Sequence, residues 1–122
     1  MNPTLYDKIG GREIVQKASH HLYSNILEDH LLEPFFNDID VHRQERKMIA
    51  FLTYIFGGNS LYTGKTMRRA HTHAVEAGLS DKHFEAMMKC VVKSLHTLEF
   101  EPELIEKVTQ VMEKHRSDVL NR

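Results

Sequence analysis

Residues 40–58 read DVHRQERKMIAFLTYIFGG, and this stretch decides the fold. Gln44, Met48, Phe51 and Ile55 follow one another at i, i+4, i+7 and i+11, the spacing of one face of an α-helix. Asp40 stands where an N-cap belongs, and Gly57-Gly58 supplies the stop. The same period runs outward in both directions. Val15, Ala18, Leu22 and Ile26 mark a helix over residues 12–28, and Thr4 caps a short helix before it that ends at Gly10-Gly11. Pro34 interrupts the chain ahead of the bulky pair Phe35-Phe36. Residues 59–65 read as loop, after which Thr66 caps a helix carrying Met67, Ala70, His71, Ala74 and Val75, with Gly78 as its stop. Ser80 opens a longer helix with Phe84, Met87, Met88, Val91, Leu95 and Leu98 facing inward. Pro102 begins a last helix bearing Leu104, Ile105, Val108, Val111 and Met112. Strand-like alternation is missing from the sequence. The expectation is a single all-α domain over residues 1–122.

Composition narrows the function classes. Sixteen Lys plus Arg stand against seventeen Asp plus Glu, a net charge of −1, so no basic footprint for nucleic acid or a membrane surface is expected. One cysteine, Cys90, excludes an internal disulfide and an all-cysteine metal site; it reads as a small buried apolar group. No apolar run reaches the roughly 18 residues of a membrane span, and the N-terminus lacks a signal-peptide pattern. A soluble cytoplasmic protein is the simplest expectation. The nine histidines are the odd entry, more than packing requires.

Several chemistries fail on spacing. Between Gly58 and Gly64 stand five residues, where a phosphate-binding loop needs four, and the segment follows a helix instead of a strand. No histidine has a carboxylate three positions before it, which removes a di-iron bundle site. His71 and His73 are two apart, roughly 200° around a helix, and cannot chelate one ion together. His20-His21 fails likewise. What survives is a lone axial ligand, which haem iron needs on one side. His71 fits, because Ala70 and Ala74 would let a flat macrocycle approach the helix. Taken alone, the pattern favours an ordinary helix histidine, with Met48 and Phe51 as core and Gln44 at the surface. Tyr23, among Leu22, Ile26 and Leu27, is expected to be buried with a hydroxyl that needs a partner.

Seven segments in order shift that balance. They are Leu5-Tyr6-Asp7-Lys8-Ile9-Gly10-Gly11, Leu22-Tyr23, Pro34-Phe35-Phe36, Phe51-Leu52-Thr53-Tyr54-Ile55-Phe56-Gly57-Gly58, Tyr62-x-Gly64, Met67-Arg68-Arg69-Ala70-His71, and His115-Arg116-Ser117-Asp118-Val119-Leu120-Asn121. With them the chain resembles a group I truncated haemoglobin of the cyanobacterial type, a short globin with a two-over-two helical sandwich around haem. The resemblance runs from about Thr4 to the end of the sequence.

The resemblance implies haem b as cofactor and His71 as its proximal ligand. It makes Phe36 the ring that wedges the haem and Tyr23 and Gln44 the distal hydrogen-bond donors. Met48 becomes an apolar distal wall where some relatives carry a polar residue, and Phe51, Tyr62, Met67 and Phe84 complete the pocket. Lys47 stands where cyanobacterial relatives place a sixth iron ligand; a neutral amine can serve, while a charged one would pair with a haem propionate or stay in solvent. His115 stands where relatives bond covalently to a haem vinyl group; the plain alternative is a surface histidine favoured by a helix C-terminus. The other seven histidines, 20, 21, 30, 42, 73, 83 and 96, read as surface or capping residues. The implied function is reversible binding of O₂ or another diatomic ligand such as CO or NO, in a monomer or weak dimer. Two alternatives stand beside it: nitric oxide dioxygenation with an external electron-donating reductase, and a haem-free helical interaction module.

Overall fold

The computed structural model describes residues 4–37, 40–58 and 64–122. Those residues form α1 (Leu5–Ile9), α2 (Arg12–Leu27), α3 (Glu33–Phe36), α4 (Val41–Ile55), α5 (Gly64–Glu76), α6 (Asp81–Thr97), α7 (Pro102–Lys114) and α8 (Arg116–Val119), with no strand among them. The long helices make two pairs, α2 with α4 and α6 with α7, joined through the packing of α2 on α6. The expected face of α2 is the centre of that core: Val15, Ala18, Leu22 and Ile26 are each 0% exposed. Leu52 and Ile55 of α4, Val91 and Leu95 of α6, and Val108 and Met112 of α7 close around it. Each such aliphatic side chain withdraws enough apolar surface to contribute about 1.5–3 kcal/mol.

Local chemistry sets the helix ends. The Thr4 hydroxyl accepts from the Asp7 amide (3.1 Å) while the Asp7 carboxylate accepts from the Thr4 amide (3.2 Å), a reciprocal cap on α1. Asp40 caps α4 by accepting from the Arg43 amide at 3.0 Å. Gly10 and Gly11 both take positive φ (114° and 68°), which turns the chain from α1 into α2. Gly58 serves a different need. A Cβ there would lie 2.6 Å from the Tyr6 ring, so glycine lets α1 close over the end of α4, where the Tyr6 amide donates to the Phe56 carbonyl at 2.7 Å.

Three expectations need correction. Helix α5 begins at Gly64, so Thr66 lies inside the first turn and does not cap it. A glycine costs little there, because first-turn amides lack intrahelical partners in any case. Pro34 does not break the chain but sits in the first turn of α3, directly after Glu33, where proline's fixed φ fits and its missing amide is no loss. Gln44, which pattern alone would put at the surface, is 6% exposed. Cys90 is buried as expected, and burial, aided by Asp29, pushes its thiol up to about 11.

Candidate functional site

A cavity of about 280 Å³ is lined by several helices. Helix α4 supplies Gln44, Lys47, Met48 and Phe51, and α5 supplies Ala70, His71 and Ala74. Leu32, Phe35 and Phe36, Phe84 and Met87 of α6, and Val119 of α8 also line it. Met88, one residue on, instead lines a shallow outer groove with Lys89, Val92 and Lys93.

His71 is the chemical centre of this cavity. Its ring lies over its own helix, with Nδ1 2.8 Å from the Met67 carbonyl four residues back. A carbonyl only accepts, so Nδ1 carries the proton and donates, which leaves the Nε2 lone pair free. Burial lowers the His71 pKa first, the Met67 bond opposes that, and the nearby positive Lys47 lowers it again. The ring is therefore held neutral and oriented, as an imidazole must be to ligate a metal. Among the described residues no group of three or more His, Cys, Asp or Glu could hold a bare ion. An imidazole with a free Nε2 at a largely apolar, aromatic-lined cavity, with only Ala70 and Ala74 beside it on α5, fits haem iron.

The remaining expected site residues are spread unevenly. Phe36, Phe51 and Phe84 line the cavity with His71, Gln44, Met48 and Lys47, whose side chain is otherwise exposed. Tyr23 is buried at 8% exposure just behind this wall, and its hydroxyl lies 3.5 Å from the Phe36 carbonyl, a weak bond. Met67 is fully buried under α5 and does not line the cavity. Tyr62 lies outside the described residues. His115 joins α7 to α8 and packs its ring on Tyr54, centroids 4.9 Å apart, away from the cavity-lining set; burial lowers its pKa.

One histidine departs from its surface reading. His83 is 8% exposed, lines the cavity, and packs edge-on against Phe35 with centroids 5.1 Å apart. It does cap α6, because its Nδ1 accepts from the Ser80 amide at 3.0 Å. In the neutral ring the proton must then sit on Nε2, a donor for whatever fills the cavity. The Ser-x-x-His spacing at 80–83 was the available signal, since it fixes the histidine in the first turn of a helix whose next residue, Phe84, is core. His20, His30, His42, His73 and His96 are exposed and His21 is half-buried, in keeping with a surface reading.

Known proteins share both sequence and architecture with this chain. The bacterial-like globin family matches residues 4–121. The group 1 truncated hemoglobin GlbN of Synechocystis sp. is 38% identical, covering 98% of both chains. The 2/2 hemoglobin of Synechococcus sp. PCC 7002, solved in the cyanomet state with covalently attached heme, superposes with a TM-score of 0.88 at 38% identity, over 98% of this chain and 100% of that one. The Fe(III) form of the Tetrahymena pyriformis truncated hemoglobin superposes at 0.84 with 30% identity, over 97% of this chain and 98% of that one. The chain therefore belongs to the bacterial-like globins, among the group 1 truncated haemoglobins, and that membership implies haem-based binding of small diatomic ligands.

Proposed function

We propose that this single domain holds haem b in the cavity through His71 Nε2 and there binds O₂ reversibly, with CO and NO as competing ligands. The observation that carries the reading is the His71 ring itself, pinned by the Met67 carbonyl at 2.8 Å so that its free lone pair faces an apolar pocket. The haem would supply the iron to which the diatomic ligand binds. Everything else is the work of side chains. Phe36, Phe51 and Phe84 give the cavity much of its apolar lining, and a low-dielectric lining strengthens any dipole placed inside it. Gln44 donates through its amide from α4. Tyr23 keeps its hydroxyl 3.5 Å from the Phe36 carbonyl, a bond weak enough to exchange for one to a ligand bearing partial negative charge. Met48 offers no hydrogen bond, so ligand release is faster than a fully polar distal wall would allow.

Lys47 lines the cavity from an exposed position, so its ammonium can pair with a haem propionate; as a neutral amine it would be a sixth iron ligand. Covalent attachment of haem through His115 draws support from the Synechococcus structure with covalently attached heme. Acid–organic extraction decides it, because cross-linked haem stays with the protein. A cytoplasmic monomer or weak dimer suits the near-neutral surface.

Absorption spectra of the ferric, ferrous and CO-bound protein test the core of this reading. Wild type is expected to show a Soret band that His71→Ala abolishes or converts to a weakly bound form. A chain that takes up no hemin would be a haem-free helical module. Rapid mixing of the oxy form with NO, followed by a search for an electron-donating reductase, separates nitric oxide dioxygenation from plain O₂ binding.

A further inference from the structure

The helix that carries His71 has few anchors of its own. Among the described side chains of α5 only Met67 is buried, and a lone helix of 13 residues is marginal in water. Its chief packing partner among the described residues is α8, a helix of four residues. The contact is built from polar groups that bracket His71. Three residues before it, one guanidinium nitrogen of Arg68 donates to the Arg122 carbonyl at 2.8 Å and faces the Ser117 carbonyl and the Asp118 carboxylate, each at 3.4 Å. One residue after it, the Thr72 hydroxyl shares its one proton between the Arg68 carbonyl (3.1 Å) and the Asn121 side-chain carbonyl (3.3 Å), while the Asn121 amide donates to the Arg68 carbonyl at 3.0 Å. Asn121 has a φ of +59°, a conformation that asparagine tolerates better than most residues.

The other side of α8 is fixed to α6, with Glu113 of α7 beside it. Arg116 bonds Asp81 at 3.0 Å, pairs with Glu85 and Glu113, and lies 4.5 Å over the ring of Phe84, a cavity wall. Val119, between these two sets of bonds, itself lines the cavity. The tail is thus a strap from α6 to α5.

We propose that Arg68 and Asn121 are positioning residues for His71, acting through this strap to hold α5 at the distance and angle that iron ligation requires. The proposal rests on His71 as the haem ligand. Arg68 acts through the single terminal nitrogen that meets all three oxygens, so a lysine ammonium, also one nitrogen but on a stem of different length and shape, should restore only part of the contact. Asn121 acts through its amide. Partners that orient metal ligands commonly change metal affinity by about 10- to 100-fold when removed, and the same scale is expected for hemin retention.

The test uses Asn121→Gly, which keeps the positive φ accessible while deleting the bridging amide, with Arg68→Ala and Arg68→Lys beside it. In the hemin-free protein, amide hydrogen exchange should accelerate in α5 while α2 stays at the wild-type rate. In the hemin-loaded protein, release to an acceptor apoglobin should quicken by about tenfold or more, and the iron–histidine stretching band of the ferrous form should shift. Arg68→Lys should fall between wild type and Arg68→Ala. Wild-type exchange in α5 together with an unmoved band in both Asn121→Gly and Arg68→Ala overturns the proposal. So does equal acceleration in α2 and α5, which would make the tail a general stabiliser. A wild type without a Soret band refutes the haem reading instead, and the exchange data alone then decide whether the tail holds α5.

Discussion

Single atoms decide most of what the cavity can do. His71 is set by one hydrogen bond, and the folded chain holds its pKa below the ordinary value of about 6.5. Lys47→Ala removes a positive charge that lowers that value, so the His71 ring should take up a proton at higher pH in the apoprotein, which NMR titration would show. The same variant answers the ligation question. If the amine binds iron, a low-spin ferric spectrum turns high-spin; an unchanged spectrum leaves the propionate pairing. Ser19 is a separate case, a hydroxyl buried in α2 at 1% exposure with no hydrogen-bond partner among the described residues. Ser19→Ala deletes an unsatisfied polar atom and is expected to stabilise the fold by about 1 kcal/mol in urea denaturation. None of these atomic details is visible in sequence. The spacing 67–71 places His71 one turn after Met67, yet whether the ring folds back on that carbonyl depends on its rotamer. Residue identities alone could name the candidate ligand, but not its free nitrogen.

At the scale of elements the sequence was far more legible. The face of α2, the cap of α4 at Asp40 and the stops at Gly10-Gly11 and Gly78 all follow from period and from backbone freedom, which are local properties. Helices α3 and α8 escaped because each has four residues, too few to display a period. His83 escaped because its burial comes from Phe35, far away in the chain, and no local pattern encodes that contact. Gly58 was readable as a helix stop but not as the seat of the Tyr6 ring. Gly58→Ala must push that ring aside, and a loss of about 1–3 kcal/mol is expected by thermal denaturation, with α1 loosened first in hydrogen exchange. Asp40→Ala should cost about 1 kcal/mol by the same measurement, through the uncapped Arg43 amide.

For the whole molecule, protonation and ligand binding act on one equilibrium. A histidine whose folded pKa lies below its unfolded value leaves the unfolded chain binding more protons between the two. His71 and His115 both shift in that direction, so the apoprotein should lose stability as pH falls through about 6.5 and level off below the folded values. Urea midpoints between pH 8 and 5 would show the slope, and His71→Ala should flatten it in part. Hemin binds only the folded chain, so saturating hemin should raise the melting temperature. That rise should shrink toward acid as protons compete for Nε2.

The adjacent methionines of α6 turn this architecture into its own footprint. Met87 faces the cavity and Met88 the outer groove, while Met67 is sealed beneath α5. A thioether reacts with peroxide according to its access, and the sulfoxide it becomes is polar and readable by mass. In the apoprotein Met87 and Met88 should oxidise together and Met67 last. Bound hemin should shield Met87 and leave Met88 unprotected, so two neighbouring sulfur atoms would report from either side of one helix whether the pocket is filled.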